Sequence, residues 1–129
     1  YEGKKGNYKE SDPVKPFNNY GISKLGGECS VLMYKNSLIL RITMTEKPFM
    51  FKKAYSNLIA NYMYHEDLIK ILPKIINKKG ILNVGGKTQS IYEFAKSKKL
   101  QVKKIKLVDS KKLPLKQSMC LDKLKNIIK

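Results

Sequence analysis

Tryptophan is absent from this chain, histidine occurs once (His65), arginine once (Arg41) and cysteine twice (Cys29 and Cys120). The two cysteines are far apart in sequence and neither has a second thiol near it. That excludes a disulfide framework and a paired-cysteine zinc spacing, and reads as two reduced thiols in a cytoplasmic protein. A single histidine excludes a multi-histidine metal centre. His65 is followed by Glu66 and Asp67, but adjacent residues point in different directions on a helix, so the trio marks a helix start and no metal is expected. Long hydrophobic runs are also missing. Pieces such as "SLILRI" fall far short of the roughly 20 residues that cross a bilayer, and no membrane partner is expected. The opening "YEGKKGNYKESD" has no apolar core of the kind a signal peptide needs. It also lacks an initiator methionine, which gives the expectation that the chain is a piece of something longer.

Acidic residues are scarce: 10 Asp and Glu stand against 27 Lys and Arg, for a net charge of +17. So basic a chain raises the question of nucleic acid. The charge is almost entirely lysine, whereas bidentate reading of bases and phosphates favours the guanidinium fork. The lysines are also spread along the chain in pairs such as Lys52-Lys53, Lys78-Lys79 and Lys98-Lys99. Solvated lysine-rich faces are therefore expected, with no nucleic-acid partner. What the chain does have is 42% hydrophobic content over 129 residues, enough for one globular core.

Residues 1–19 read as loop, punctuated by Gly3, Gly6, Asp12-Pro13 and Pro16, with Asn18 or Asn19 placed to cap a helix. From about Tyr20 to Tyr34, Ile22, Leu25, Cys29 and Leu32 recur at helical spacing. "SLILRIT" (Ser37–Thr43) reads as a buried strand. The next stretch, "TEKPFMFKKAYSNLIANYMY", predicts a short helix or loop and then an extended piece near Tyr62. "HEDLIKILPKIINKKG" predicts a helix with a stripe of Leu68, Leu72, Ile75 and Ile76, a kink at Pro73 and a stop at Gly80. "ILNV" is a strand, Gly85-Gly86 a turn, "QSIYEFAKSKKL" a helix, "VKKIKLV" a strand and "SMCLDKLKNIIK" a closing helix. Helices alternating with short apolar strands argue for an α/β fold with some parallel strands.

The stretch "PFNNYGISKLGGE" carries the chemistry. Tyr20 and Lys24 lie at i and i+4, so on a helix they share a face. An ammonium beside a phenol favours the phenolate, which suits the phenol to general acid–base work. In a chain so rich in lysine the bare pair is a weak signal. Its surroundings add to it: Gly21, Gly26 and Gly27 each cost a helix about 1 kcal/mol relative to alanine. They keep bulk off the helix, as needed where a ligand or another backbone comes close.

The longer stretch "GNYKESDPVKPFNNYGISKLGGE" resembles a segment of the extended short-chain dehydrogenase/reductases, most of all their dTDP-4-dehydrorhamnose reductase branch of nucleotide-sugar reductases. That branch shows Gly-x-Tyr-x-Glu-x-Asp and then Pro-x-Asn-x-Tyr-Gly-x-Ser-Lys-Leu-x-Gly-Glu. The matching residues here are Gly6, Tyr8, Glu10, Asp12, Pro16, Asn18, Tyr20, Gly21, Ser23, Lys24, Leu25, Gly27 and Glu28. "LILRIT", "YMYHEDLIKIL", "GILNVGGKTQSIYEFAK" and "LPLKQSMCLDKLKNI" are similar, more loosely, to later segments of the same family.

The resemblance implies an α/β fold, the C-terminal part of a Rossmann-like extended short-chain dehydrogenase/reductase whose first nucleotide-binding strands lie outside this sequence. Residues 1–45 would end the Rossmann-like part, with the active-site helix and the following strand; residues 46–129 would form the substrate-binding lobe. Tyr20 would protonate a keto oxygen as hydride arrives from NADPH or NADH (NADP or NAD as cofactor). Lys24 would bind the nicotinamide ribose hydroxyls and act on Tyr20, and Asn18 would set the loop entering the helix, beside the substrate. The function implied is reduction of a 4-keto-6-deoxy sugar nucleotide by an oxidoreductase of which this chain alone is inactive, and a homodimer is compatible with it. Two alternatives share the resemblance: a non-catalytic sugar-nucleotide-binding or regulatory protein, and a nucleotide-sugar epimerase or dehydratase. "TMTEKPF" lacks the tryptophan of the branch's Thr-Ser-Trp pattern, which leaves the sugar open.

Two other features have plainer readings. "GILNVGGKT" imitates a phosphate-binding P-loop, but from Gly80 the lysine position falls on Gly86, and counting back from Lys87-Thr88 demands a glycine at Ile81. A turn between strand and helix is expected instead. Arg41, near the end of an apolar strand, is expected to pair with a carboxylate rather than to reach a substrate phosphate.

Overall fold

A computed structural model of the chain describes residues 1–97, 101–108 and 113–129. Helix α1 spans Asn19–Leu32 and starts where Asn18, in extended conformation, turns its side-chain oxygen back to accept from the Gly21 N–H at 2.8 Å. This is the N-cap expected from the sequence. Strand β1 (Leu38–Ile42) follows, and pairs in parallel with β6 (Gly80–Val84), with Leu38 opposite Gly80 and Ile42 opposite Val84.

Between β1 and β6 the chain forms β2 (Met44–Thr45), β3 (Lys53–Tyr55), β4 (Ile59–Ala60), β5 (Met63–Tyr64) and helix α2 (His65–Ile75). After β6 come β7 (Gln89–Ser90), α3 (Ile91–Ser97), β8 (Lys103–Ile105) and α4 (Asp122–Ile128). β2 pairs in parallel with β5, β3 in parallel with β8, and β4 antiparallel with β7. The α/β class and its parallel strands are as the alternation predicted.

Several boundaries differ. The stretch before His65 holds no helix; its β3, β4 and β5 take their shape from pairing with β8, β7 and β2, and strands of two or three residues are too short to show a period. α2 ends at its cap, Ile76, short of Gly80. Gly80 instead opens β6 at φ +83°, a left-handed conformation open to glycine, with its N–H donated to Ser37 O at 2.8 Å. The helix predicted from Gln89 begins at Ile91, because Gln89 and Ser90 are paired with β4; its predicted end at Leu100 lies outside the described residues. β8 is shorter than the alternation of "VKKIKLV" suggests. The closing helix starts at Asp122, since Ser118 to Cys120 runs extended against Tyr8: Tyr8 N donates to Ser118 O at 3.0 Å and Cys120 N to Tyr8 O at 2.8 Å.

Among the described residues two apolar clusters form the interior. One gathers Phe49, Ala54, Leu58, Ala60, Tyr62, Tyr64, Phe94 and Ala95. The other gathers Met63, Ile75, Leu82, Val84 and Leu124, with Leu38, Leu40 and Ile42 of β1 packed against it. β1 is thus held to the rest of the chain on one face by apolar burial and along one edge by the β6 ladder. A helix capping box closes β7 onto α3. The Ser90 N–H and hydroxyl donate to the Glu93 carboxylate, and the Glu93 N–H donates back to Ser90 Oγ.

Candidate functional site

Tyr20 and Lys24 sit in the first turns of α1, one above the other as the spacing requires, with Lys24 Nζ 5.4 Å from the centre of the Tyr20 ring. Both are exposed, Tyr20 to 70%. Among the described residues neither the Tyr20 hydroxyl nor the Lys24 ammonium is engaged in a hydrogen bond or ion pair with another side chain, so both are free to meet a ligand. Ser23 Oγ donates to Tyr20 O at 2.8 Å, back onto the helix itself.

The glycines divide into two kinds. A Cβ on Gly21 would stand 3.0 Å from Pro16 Cβ and 3.3 Å from Asn18 Oδ1, so Gly21 gives room to the capping turn. At Gly26 and Gly27 a Cβ would meet nothing within 4 Å. That side of α1 is open, and not one residue of the helix is buried. Ile22 and Met33 are exposed to 57% and 88%.

What fixes α1 is Arg41 on β1. Its guanidinium grips the Glu28 carboxylate with two bonds, Nε to Oε2 at 3.0 Å and Nη2 to Oε1 at 2.5 Å, and the two side chains are each only 13% exposed. Its other arm donates to the Tyr1 hydroxyl at 2.8 Å and to Glu10 O at 3.1 Å. Burial alone would lower the Arg41 guanidinium; Glu28 and Tyr1 outweigh it and hold it above its ordinary value. Burial likewise raises the Tyr1 phenol, against the opposing pull of Arg41. Arg41 is therefore a structural ion pair, as expected from the sequence.

The Tyr1 hydroxyl passes the network on, donating to Asn83 Oδ1 at 2.7 Å. Asn83 is fully buried in β6. Its amide donates to Tyr8 O at 2.8 Å and Cys120 O at 3.3 Å, while its backbone N–H donates to the Glu10 carboxylate at 3.0 Å. Asn61, between β4 and β5, ties separate segments together in the same way: its Oδ1 accepts from Met119 N at 2.6 Å and its amide donates to Gly86 O and Thr88 Oγ1. Sequence reasoning missed both asparagines. The available signal was a lone amide in the middle of the apolar "ILNV", since a buried polar group must have partners. The same network explains the acidic residues of the Gly-x-Tyr-x-Glu-x-Asp run. Glu10 ties the segment to β6. Asp12 accepts from Lys9 N at 2.9 Å, a bond that, with Lys5 close by, holds its carboxyl below the usual range.

The Gly85-Gly86 turn faces the chain's own backbone rather than a phosphate. A Cβ on Gly85 would lie 2.6 Å from Asn61 O, and one on Gly86 2.5 Å from Tyr62 O. His65 is the exposed first residue of α2. Among the described residues no group of three or more His, Cys, Asp or Glu side chains is placed to hold a metal ion, and no helix is long and apolar enough to cross a membrane. A hollow of about 630 Å³ lies beside the approach to α1, walled by Lys4, Lys15, Phe17, Pro114 and Lys116 among others; Tyr20 and Lys24 are not in its walls.

No family model and no curated protein sequence matches the chain. Solved structures do. A hypothetical dTDP-4-dehydrorhamnose reductase from Sulfolobus tokodaii matches with a TM-score of 0.76 at 26% identity, over 98% of this chain and 54% of that one. The dTDP-4-dehydrorhamnose reductase from Bacillus anthracis str. Ames, in complex with NADP, matches with a TM-score of 0.76 at 20% identity, over 98% of this chain and 55% of that one. The chain has the fold of the C-terminal part of these reductases and spans about half their length.

Proposed function

We propose that the chain is the C-terminal portion of an NAD(P)H-dependent nucleotide-sugar reductase, with residues 1–45 completing its Rossmann-like part and residues 46–129 its substrate-binding lobe. The observation that carries this reading is the Tyr20–Lys24 pair on a capped helix, free of other partners among the described residues, in a chain that shares its fold with two dTDP-4-dehydrorhamnose reductases. In that role the Tyr20 hydroxyl donates its proton to the keto oxygen of a 4-keto-6-deoxy sugar nucleotide. The Lys24 ammonium, one turn along, binds ribose hydroxyls and offsets negative charge on the phenol oxygen. A bound nicotinamide would supply the hydride. Asn18 contributes by holding the first turn of α1 in place through its bond to Gly21 N, so its effect on substrate passes through the position of Tyr20.

The open side of α1 at Gly26 and Gly27, with the exposed Ile22 and Met33, is where this reading seats the cofactor-bearing half of the fold. The test is to join the remaining half of the Bacillus anthracis reductase ahead of Tyr1 and to follow NADPH oxidation with a 4-keto-6-deoxy sugar nucleotide. The chimera is expected to turn over, and Tyr20→Phe to lower kcat by about 10²- to 10⁴-fold, the usual worth of general acid–base catalysis. The 129-residue chain alone is expected to be inactive. A chimera that folds, binds NADPH and reduces the sugar equally well with Phe at position 20 sinks the proposal.

A further inference from the structure

β3 and β8 pair in a register that opposes like charges. Lys53 stands directly across from Lys103, and the Lys103 N–H donates to Lys52 O at 2.9 Å. Directly opposed lysines destabilise a strand pair, and among the described residues no carboxylate pairs with them. Among the described residues Lys52, Lys53, Lys96, Lys103 and Lys104 have no carboxylate within ion-pair distance. The acid that feels Lys104 is Glu93, and its carboxylate is already turned back onto Ser90. Lys52 just before β3, Lys96 of α3 and Lys103 of β8 line a hollow of about 690 Å³ together with Tyr92, Gln101 and Val102. Lys104 lies over the Tyr92 ring at 5.5 Å from its centre. Lys96 taken alone has an ordinary role, as a cation in the last turn of α3. Lys52 and Lys103 have none.

We propose that this hollow binds an oligophosphate, either free or carried by a nucleotide. Its volume lies within the range of small-ligand sites. Each lysine offers a compact charge and three rotatable donors, which suit phosphate oxygens without requiring the fixed fork of arginine. A bound anion also offsets the charge of Lys103, one member of the opposed Lys53–Lys103 pair, so ligand binding and the stability of this ribbon favour each other. None of the lining residues belongs to α1 or to the Tyr20–Lys24 pair, and the inference stands whether or not the reductase reading does.

The test titrates the ¹⁵N-labelled 129-residue chain with inorganic triphosphate at physiological ionic strength. Amide shifts are expected at Tyr92, Lys96, Val102 and Lys103. The triple variant Lys52→Gln, Lys96→Gln, Lys103→Gln is expected to bind about tenfold more weakly or worse, the scale of losing a charge-assisted bond. A control triple variant, Lys35→Gln, Lys78→Gln, Lys79→Gln, makes the same change in net charge at exposed positions outside the hollow and is expected to weaken binding less than about twofold. Equal weakening by the two triple variants, or shifts that map elsewhere, overturns the site in favour of diffuse attraction by the net charge. ATP binding as tightly as triphosphate supports a free oligophosphate as the ligand, and ATP binding more tightly supports a nucleotide. A single-stranded oligonucleotide that binds where triphosphate does not overturns the proposal.

Discussion

In the lobe around β4, β5 and β6, Asn61 and Asn83 are almost wholly buried, and each spends its whole amide on backbone and side chains from distant parts of the chain. In α1, fourteen residues long, no residue is fully buried, and the Glu28 side chain that meets Arg41 is the most enclosed of its polar groups. The lobe is held by buried amides, close backbone approach and two apolar clusters. The helix is held by a cap at one end and one ion pair, Arg41 with Glu28, in its second half. Residues that do chemistry are often the least packed, because a side chain locked into a core has no surface left for a ligand. The open side of α1 would suit the role proposed for it, and the lobe is the better-packed part of the chain.

This contrast can be broken most severely at the Gly85-Gly86 turn. Gly86→Ala sets a Cβ at 2.5 Å from Tyr62 O, which is backbone and has nowhere to go. A loss of about 3 kcal/mol is expected in denaturant unfolding. Next comes Asn83→Ala, which takes one of two partners from both the Tyr8 carbonyl and the Tyr1 hydroxyl, removes the bond to Cys120 O, and should cost about 2–3 kcal/mol. Glu28→Gln keeps the shape but leaves the Arg41 guanidinium unpaired. About 2 kcal/mol is expected, less than for a fully buried pair because 13% of each side chain still meets water. Tyr20→Phe and Lys24→Met should be the mildest, changing stability by less than about 0.5 kcal/mol, although the reductase reading gives them the largest effect on activity. Thermal melts of these variants in one buffer would test the order, and a large loss at Tyr20 would show that α1 is packed after all.

Much of this was legible in the sequence. The cap at Asn18, the α1 helix, the β1 and β6 strands and the shared face of Tyr20 and Lys24 all rest on local spacing or on dense motifs, and the structure places them as read, except that β1, read as buried, is half-buried along its whole length. Residues 44–64 were not legible, because β2, β3, β4 and β5 exist only through partners elsewhere in the chain, and two or three residues carry no period. The turn at Gly85-Gly86 was visible, but its cause, the carbonyls of Asn61 and Tyr62, was not. Asn83 was hidden for a similar reason: in sequence it interrupts an apolar strand, and only the fold brings Tyr1, Tyr8 and Cys120 to it. Glu10 and Glu28 were visible as motif positions, and the structure gives them a mechanical purpose.

That purpose bears on Tyr20. Glu28 lies eight residues further along α1, about 12 Å at the helical rise, and the Arg41 grip there acts as a fulcrum with Tyr20 at the end of the arm. A tilt of about 10° at the fulcrum carries the phenol about 2 Å, and displacements near 1 Å already cost catalysts about 10²-fold. For a reductase built on this helix, Arg41 would set the aim of the proton donor from a distance, without touching substrate.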